Sequence, residues 1–299
     1  MANKKTTSPE GIAVMKTYKL FIGGAFPRTE SGRFYPIRNG SDELIANVCL
    51  SSRKDFRNAV VAARKAQAGW EAKSAYNRSQ IIYRIAEMLQ QREELFVKEM
   101  KDLGYTDINA KEEFSASVDY LVHFAGWCDK YVQVFSSVNP VASSHFNFSV
   151  PEPMGVVAAF ASNKTALLGF LESFVPAICG GNTAIVLASE DLPTCAISMA
   201  EVLATSDVPG GTVNVLTGNR KELMSHFSSH MDVNGFVIWD AETAASIEIG
   251  ESASENVKRV KFYESEDSAV LSPHRIMDLQ EIKTTWHPIE SISGSGSGY

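Results

Sequence analysis

The residues with the clearest capacity for covalent chemistry are the four cysteines, Cys49, Cys128, Cys179 and Cys195. A cysteine acts as a nucleophile when a base or a positive charge beside it favours the thiolate. No histidine forms a recognisable motif with these cysteines, and neither residue type shows the spacing of a metal site. We therefore interpret the thiols as buried or idle, and we predict no catalytic nucleophile and no metal site.

The composition is that of an ordinary globular chain, because 44% of its 299 residues are apolar and 21% are charged. This length can bury a large core in one or two domains. The net charge of −7 argues against a surface for nucleic acid or for an anionic membrane. No apolar run could span a bilayer, and the polar start MANKKTTSPEG lacks the hydrophobic region of a signal peptide. These features predict a cytoplasmic protein.

Short apolar runs alternate with helical stretches between residues 153 and 263. The runs are Val156–Phe160, Thr183–Leu187, Thr212–Leu216, Phe236–Trp239 and Arg259–Tyr263. Crossovers of this length predict a parallel sheet with helices on both faces. This is the doubly wound α/β fold, which is common among nucleotide-binding proteins, although no GxGxxG sequence follows a strand.

Residues 1–135 are predicted to form an N-terminal hairpin followed by helices. Apolar and polar residues alternate on both sides of Gly23–Gly24, which indicates the hairpin. Ser52 and Asp55 have the N-cap and N3 spacing of a helix start ahead of an apolar stripe. Two further helices are predicted, the second of them around residues 111–133.

Residues 136–152 have the pattern of a second hairpin. Phe146, Phe148 and Val150 alternate with polar residues, and proline bounds the stretch at both ends. A hairpin with one aromatic face is only marginally stable alone. Its own domain or a second subunit must therefore cover that face.

Several of these stretches resemble the aldehyde dehydrogenase superfamily and follow its order. They are KLFIGG at residues 19–24, GVVAAFASNK at 155–164, GGNTAIVLASEDLP at 180–193 and VPGGTVNVLTG at 208–218. The resemblance extends from Tyr18 to Ile289, and it is to the shortened, degenerate second copy found in two-copy members. It implies that residues 1–135 and 153–263 form a cofactor domain, with a Rossmann-like sheet in the second segment.

The resemblance also implies an oligomerisation β-arm and the absence of the catalytic domain. Residues 136–152 match the family's protruding hairpin, and residues 279–290 resemble the C-terminal strand that joins it. In the family a whole catalytic domain with a nucleophilic Cys lies between the cofactor domain and the C-terminal strand. In this chain residues 264–278 would replace that domain and connect the two directly. Residues 291–299 have the composition of a flexible tail.

At the positions of the family's active-site residues, this chain has residues of other types. The Pro-Trp-Asn turn, whose Asn stabilises an oxyanion, corresponds to 162–164, where Lys164 takes the place of the Asn. The Glu-Leu-Gly-Gly sequence, which supplies a general base, corresponds to Tyr263 and residues 264–266. We therefore predict no catalytic residue.

The positions that hold the cofactor in the family are also altered. Of the Lys-Pro-(Ser/Ala)-Glu turn only the glutamate is kept, so Glu190 is the one candidate cofactor-binding residue. The Phe-Thr-Gly-Ser sequence is replaced by residues 238–241. Asp240 and Glu242 would stabilise the following helix and repel phosphate. The resemblance thus implies a site for NAD(P) whose binding capacity has been lost.

Two hypotheses follow for function. The first is an inactive subunit that serves as a structural or regulatory partner of a full-length NAD(P)-dependent aldehyde dehydrogenase. Phe146, Phe148 and Trp286 of the arm would contact that partner or a second copy of the chain. The alternative is a residual nucleotide-binding module or oxidoreductase of the same family, which Glu190 and the intact sheet would support.

Overall fold

The computed structural model describes residues 16–264 and 267–289. The strands are β1 (Phe34–Arg38), β2 (Leu44–Cys49), β3 (Ser137–Asn139), β4 (His145–Pro153), β5 (Val156–Phe160), β6 (Thr183–Leu187), β7 (Val213–Leu216), β8 (Gly235–Trp239), β9 (Arg259–Tyr263) and β10 (Gln280–Pro288). The helices are α1 (Arg53–Glu71), α2 (Ala75–Gln90), α3 (Glu93–Asp102), α4 (Asp107–Ala125), α5 (Tyr131–Phe135), α6 (Leu168–Glu172), α7 (Val175–Cys179), α8 (Thr194–Ala204), α9 (Arg220–Ser229), α10 (Thr243–Ser254) and α11 (His274–Met277). The predicted tail at 291–299 and the polar N-terminal stretch lie outside the described residues.

A five-stranded parallel sheet forms the centre of the molecule, with the order β7-β6-β5-β8-β9. Every residue of β5, β6, β7 and β8 is buried, as expected for strands covered on both faces. The five predicted strands are confirmed to within one residue at each end. The chain continues from β5 to β6 on one side and later returns to β8 on the other. The strand order therefore reverses between β5 and β8, where a crevice opens at the carboxyl ends.

The predicted capping box starts α1 and fixes the N-terminal hairpin to it. Ser52 Oγ accepts from the Asp55 N–H, and the Asp55 carboxylate accepts from the Ser52 N–H at 2.7 Å. The same buried carboxylate accepts from Thr29 Oγ1 at 2.6 Å and from the Glu30 N–H at 3.0 Å. The local cap is thus also a tertiary contact. The turn at Gly23–Gly24 has positive φ at both glycines, as the predicted hairpin requires.

Two features of the helical layer differ from the prediction. The single helix expected around 111–133 is two helices, because α4 ends at Ala125 and α5 begins at Tyr131. The turn between them directs Cys128 and Tyr131 into the core, where the Tyr131 hydroxyl donates to the Gly180 carbonyl oxygen at 3.4 Å. Helix α3 was not predicted. Its apolar residues are few, yet Phe96 and Met100 are fully buried.

A separate antiparallel sheet, the arm sheet, contains β10, β4 and β3 in that order. β10 pairs with β4 along its whole length, from Gln280 opposite Pro153 to Pro288 opposite His145. Directly paired residues share a face of a sheet. The arm sheet therefore combines the predicted hairpin with the predicted C-terminal strand.

The hairpin has one aromatic face, as predicted, and β10 adds an aromatic side chain to the opposite face of the arm sheet. Phe148 pairs with Val138 and Thr285, and Phe146 lies on the same face with its ring 5.7 Å from that of Phe148. Trp286 pairs with Asn147 and therefore lies on the opposite face.

Candidate functional site

The candidate site is the crevice at the carboxyl ends of β5 and β8. It opens into a cavity of about 400 Å³ between α9 and α10. Its lining combines apolar side chains on the helices and strands with polar side chains at the rim: Phe160, Asn163, Glu190, Asn219, Arg220, Lys221, Met224, Ile238, Asp240, Ala241, Glu242, Ala245 and Ile249. The fold therefore provides a concave surface at the position where doubly wound sheets bind ligands.

Arg220, the first residue of α9, bridges the ends of the two strands across this crevice. Its guanidinium donates to the Trp239 carbonyl oxygen at 3.0 Å and to the carbonyl oxygen of Ala161. It lies 5.7 Å from the centre of the Phe160 ring. Burial lowers the pKa of Arg220, and the carboxylate of Asp240 opposes that effect. The crevice thus contains a cation that belongs to the chain itself.

Asp240 follows β8 and turns its carboxylate away from the start of α10. Its backbone is left-handed, with a φ of 53°, and Ser162 Oγ donates to its carboxylate at 2.6 Å. Lys164 Nζ lies 3.5 Å from the same carboxylate. Glu242 is the N-cap of α10 but its side chain makes no capping hydrogen bond. Asp240 thus binds the turn after β5, and the expected stabilisation of α10 by the charges of Asp240 and Glu242 stays a prediction.

Glu190 lines the cavity, and its carboxylate is bound to the start of α9. Asn219 Nδ2 donates to it at 2.6 Å, and the Arg220 N–H donates to it at 3.3 Å. The Glu190 N–H in turn donates to Asn163 Oδ1 at 3.0 Å. The structure therefore brings together the turns after β5, β6 and β7 around Glu190. Asn219 could be recognised in the sequence by its N-cap spacing to Glu222, whereas no local signal marks Arg220.

Tyr263 stands at the end of β9, where the resemblance implied a catalytic base. Its hydroxyl donates to Asp278 Oδ2 at 2.6 Å, and the Arg275 guanidinium lies 3.7 Å from the centre of its ring. Burial and the Asp278 carboxylate raise the pKa of Tyr263 well above its usual value. Through these contacts with Asp278 and Arg275, Tyr263 therefore holds the segment that follows β9 in place. Residues 265–266 lie outside the described residues.

All four cysteines are buried, as predicted. Cys128 and Cys179 lie side by side, with their sulfur atoms 3.2 Å apart, and both thiols contact the Phe124 carbonyl oxygen. Burial raises the pKa of the Cys179 and Cys195 thiols well above the usual value. Raised pKa values disfavour the thiolate that nucleophilic chemistry requires.

Within residues 16–264 and 267–289, no three metal-ligating side chains form a cluster that could hold an ion. In the same part of the chain no helix has both the length and the apolar character needed to cross a bilayer.

Comparison with known proteins identifies the family. The profile of the aldehyde dehydrogenase family matches residues 27–269. An aldehyde dehydrogenase of Davidiella tassiana is 30% identical over 244 residues, an alignment that covers 81% of this chain and 49% of the relative. "Aldehyde dehydrogenase, cytosolic 1" of Elephantulus edwardii is 31% identical over 255 residues, with the same two coverages.

A solved NAD+ complex of aldehyde dehydrogenase from Bacillus cereus superposes with a TM-score of 0.76 at 24% identity, over 83% of this chain and 51% of the other. This chain therefore spans about half the length of the curated relatives and solved structures that it matches. The profile match extends over most of the chain and coincides with the observed α/β fold, so the chain belongs to the aldehyde dehydrogenase family.

Proposed function

We propose that this chain is a catalytically inactive aldehyde dehydrogenase subunit that binds a full-length member of the family through the arm sheet. In this role it would act as a structural or regulatory partner. We expect it to work in the cytoplasm, because the relative from Elephantulus edwardii is named a cytosolic aldehyde dehydrogenase.

The connection between β9 and β10 supports the absence of a catalytic domain. In the family that the chain resembles, the catalytic domain lies between the strands that correspond to β9 and β10. In this chain only residues 264–279 join Tyr263 to Gln280, and β10 already pairs with β4. Nucleophilic aldehyde oxidation requires a thiol, a base and an oxyanion donor together, and the four thiols are buried away from the crevice.

The residues at the crevice do not fit the dinucleotide that the family implies. Arg220 uses its guanidinium for two backbone carbonyl oxygens, and Lys164 lies beside the Asp240 carboxylate. Asp240 and Glu242 add negative charge next to the start of α10, where a pyrophosphate would need free N–H groups. We therefore assign no step to NAD(P).

The observation that carries the proposal is the uncovered arm sheet. Among the described residues no strand lies beside the outer edge of β10, and an open edge is a template for pairing with another chain. Trp286 is 56% exposed on one face and Phe146 is 47% exposed on the other. Exposed aromatic side chains next to an open edge are typical of protein interfaces.

The test is affinity purification of the full chain from its native cell, followed by native mass spectrometry. We expect a defined assembly that contains a full-length aldehyde dehydrogenase. Phe146→Ser and Trp286→Ser should each weaken that assembly about tenfold or more, as loss of a buried aromatic contact does in other interfaces.

Tyr76→Ser is the matched control, because Tyr76 is 66% exposed on α2, outside the arm sheet. Equal losses for the control and the arm variants would argue against the arm as the contact surface. Recovery of the chain only as a self-assembled species would replace the proposed hetero-oligomer with a homo-oligomer.

A second candidate, a residual nucleotide-binding module, is favoured by one observation at the cavity. Arg220 Nε is buried and has no hydrogen-bond partner among the described residues. Phe160, Met224 and Ile249 provide an apolar lining beside it that a flat ring could contact. Calorimetric titration of the purified chain with NAD+ tests this reading. Saturable binding that Met224→Glu abolishes would favour it, and absence of heat at millimolar NAD+ would exclude it.

A further inference from the structure

A second pocket lies on the outside of the molecule, between the first turn of α1 and the end of α9. Its volume is about 300 Å³. Basic side chains and apolar side chains share its lining: Arg53, Phe56, Arg57, His226, Ser229, His230 and Met231. It is separate from the crevice described above, and nothing inferred about it depends on the proposed function.

Glu222 and Asp232 act on the histidines of this pocket, but no carboxylate among the described residues pairs with its two arginines. Arg53 and Arg57 lie one turn apart on α1, and neither forms an ion pair with a carboxylate within 16–264 and 267–289. Asp55, on the same turn, is buried in the capping box. Glu222, one turn before the pocket on α9, is bound by Arg33 at 2.6 Å. The two guanidinium groups are therefore available to a ligand.

The end of a helix normally repels an anion, because its last carbonyl groups are the negative pole of the helix dipole. Here the ammonium group of Lys258 offsets that effect. Its ammonium group donates to the carbonyl oxygens of Phe227, Ser228 and His230 at 3.0, 2.5 and 3.2 Å. The carbonyl oxygens at the C-terminal end of α9 thus already accept hydrogen bonds from a lysine of the chain itself.

His230 can donate a hydrogen bond into the pocket, and His226 lies beside it. The Asp232 N–H donates to His230 Nδ1 at 3.2 Å, so the neutral ring of His230 carries its proton on Nε2. The ring lies edge-on to Phe56, with centroids 5.6 Å apart. His226 lies one turn earlier on the same side of α9 and lines the same pocket.

The surroundings of both rings disfavour the charged form. Burial and the positive charge of Arg53 lower the pKa of His226, while Glu222 opposes them. Burial lowers the pKa of His230, as do Lys258, Arg57 and Arg53, while Asp232 opposes them. An anion in the pocket would reverse this repulsion and draw a proton onto the rings.

We propose that this pocket binds a tetrahedral dianion, the phosphate group of a small phosphomonoester. Guanidinium groups match phosphate oxygens in geometry and charge, and imidazole N–H groups add further donors. Phe56 and Met231 supply an apolar wall for the organic part of the ester. A small metabolite is favoured over a macromolecule, because the pocket is compact and the chain as a whole is acidic.

The experiment is calorimetric titration of the full chain with inorganic phosphate and with phenyl phosphate, at constant ionic strength. We expect saturable binding of both, tighter for phenyl phosphate because of the apolar wall. The double variant Arg53→Gln/Arg57→Gln should bind about tenfold more weakly or worse. Equal affinities for the two probes would contradict the apolar wall and leave inorganic phosphate as the ligand.

The matched control is Lys98→Gln/Lys111→Gln, which removes two positive charges on α3 and α4. It should bind like the unmodified chain. Equal weakening in both double variants, or no saturation by either probe, would refute the proposal in favour of diffuse attraction. Circular dichroism and thermal unfolding confirm that each variant is folded.

Sulfate tests the histidines separately, because it stays a dianion throughout the range used. Burial lowers the pKa of Lys258 to about 8, so the range lies below that value, where Lys258 stays charged. Binding should tighten several-fold from about pH 7 to about pH 5, since the bound anion raises the pKa of His226 and His230. His226→Gln/His230→Gln should flatten this dependence. A pH-independent affinity of the unmodified chain would remove the histidines from the site.

Discussion

Glu172 is a buried carboxylate at the end of α6, with 5% of its surface exposed. It accepts from Ser268 Oγ at 3.0 Å and from the Ala269 N–H at 2.6 Å, and so fastens the segment between β9 and β10. Burial raises its pKa to about 7, although both donors and Arg275 act in the opposite direction. The variant Glu172→Gln keeps the shape and removes the titration.

The raised pKa of Glu172 determines the sign and the size of the expected pH dependence of stability. Because the folded-state pKa of Glu172 lies above its usual value of 4.5, the folded chain holds this proton more tightly than the unfolded chain. The resulting stability is fully present below about pH 4.5 and is lost as pH rises through about 7. A rise to about 7 corresponds to about 3 kcal/mol in the free energy of unfolding.

The assay is urea unfolding of the unmodified chain and of Glu172→Gln at several pH values between about 5 and 8. The variant should gain about 2.5 kcal/mol relative to the unmodified chain across this range. At the acidic end the protonated carboxyl of Glu172 offers one carbonyl acceptor and one donor, as glutamine does, so the two proteins should have similar stability there. Groups common to both proteins cancel in the difference.

Glu112→Gln on the exposed surface of α4 is the control, and its difference from the unmodified chain should not depend on pH. A flat difference for Glu172→Gln over the same range would refute the reasoning. It would mean that Glu172 is already ionised at acidic pH, stabilised by Arg275 and the two donors.

Three further predictions concern the core and the thiols. Asp55→Ala should lower the free energy of unfolding by about 2–4 kcal/mol, since it removes the capping box of α1 and the buried carboxylate that accepts from Thr29 Oγ1 at 2.6 Å and from the Glu30 N–H. Urea unfolding measures this, and a loss below about 1 kcal/mol would contradict it. Phe227→Ala should cost about 3–5 kcal/mol, because its fully buried ring packs between α1 and the sheet; an unchanged thermal midpoint would be inconsistent with that packing. Cys179, Cys195 and the other thiols should react with a disulfide reagent only after unfolding, and rapid labelling of the native chain would disprove their burial.

The elements predicted correctly are those with a local signal. The runs Val156–Phe160 and Thr183–Leu187 are short and contain β-branched residues, a glycine lies one or two residues before each, and they form strands at the predicted residues. The Ser52–Asp55 cap depends on a spacing of three residues and could be recognised without the fold.

Of the features that the prediction missed, one has a local signal and one depends on contacts distant in sequence. Helix α4 ends at its C-cap Gly126, a residue type that commonly ends helices, and α5 begins only at Tyr131. The face on which Trp286 lies was fixed by the register of β10 against β4, in which a shift of one residue would reverse it.

The sequence by itself determined the family and the order of the strands along the chain, and residue identities alone predict that the groups the family uses for catalysis are replaced. These follow from periodicity and residue identity, which are properties of short segments. Only the tertiary structure decided that Arg220 bridges the strand ends at the crevice and that Asn219 binds Glu190. It also decided that Arg53 and His230 line one pocket. Each of these contacts joins side chains from different turns or helices. Their distances are fixed only when the sheet closes and the helices pack against it, so no local pattern can contain them.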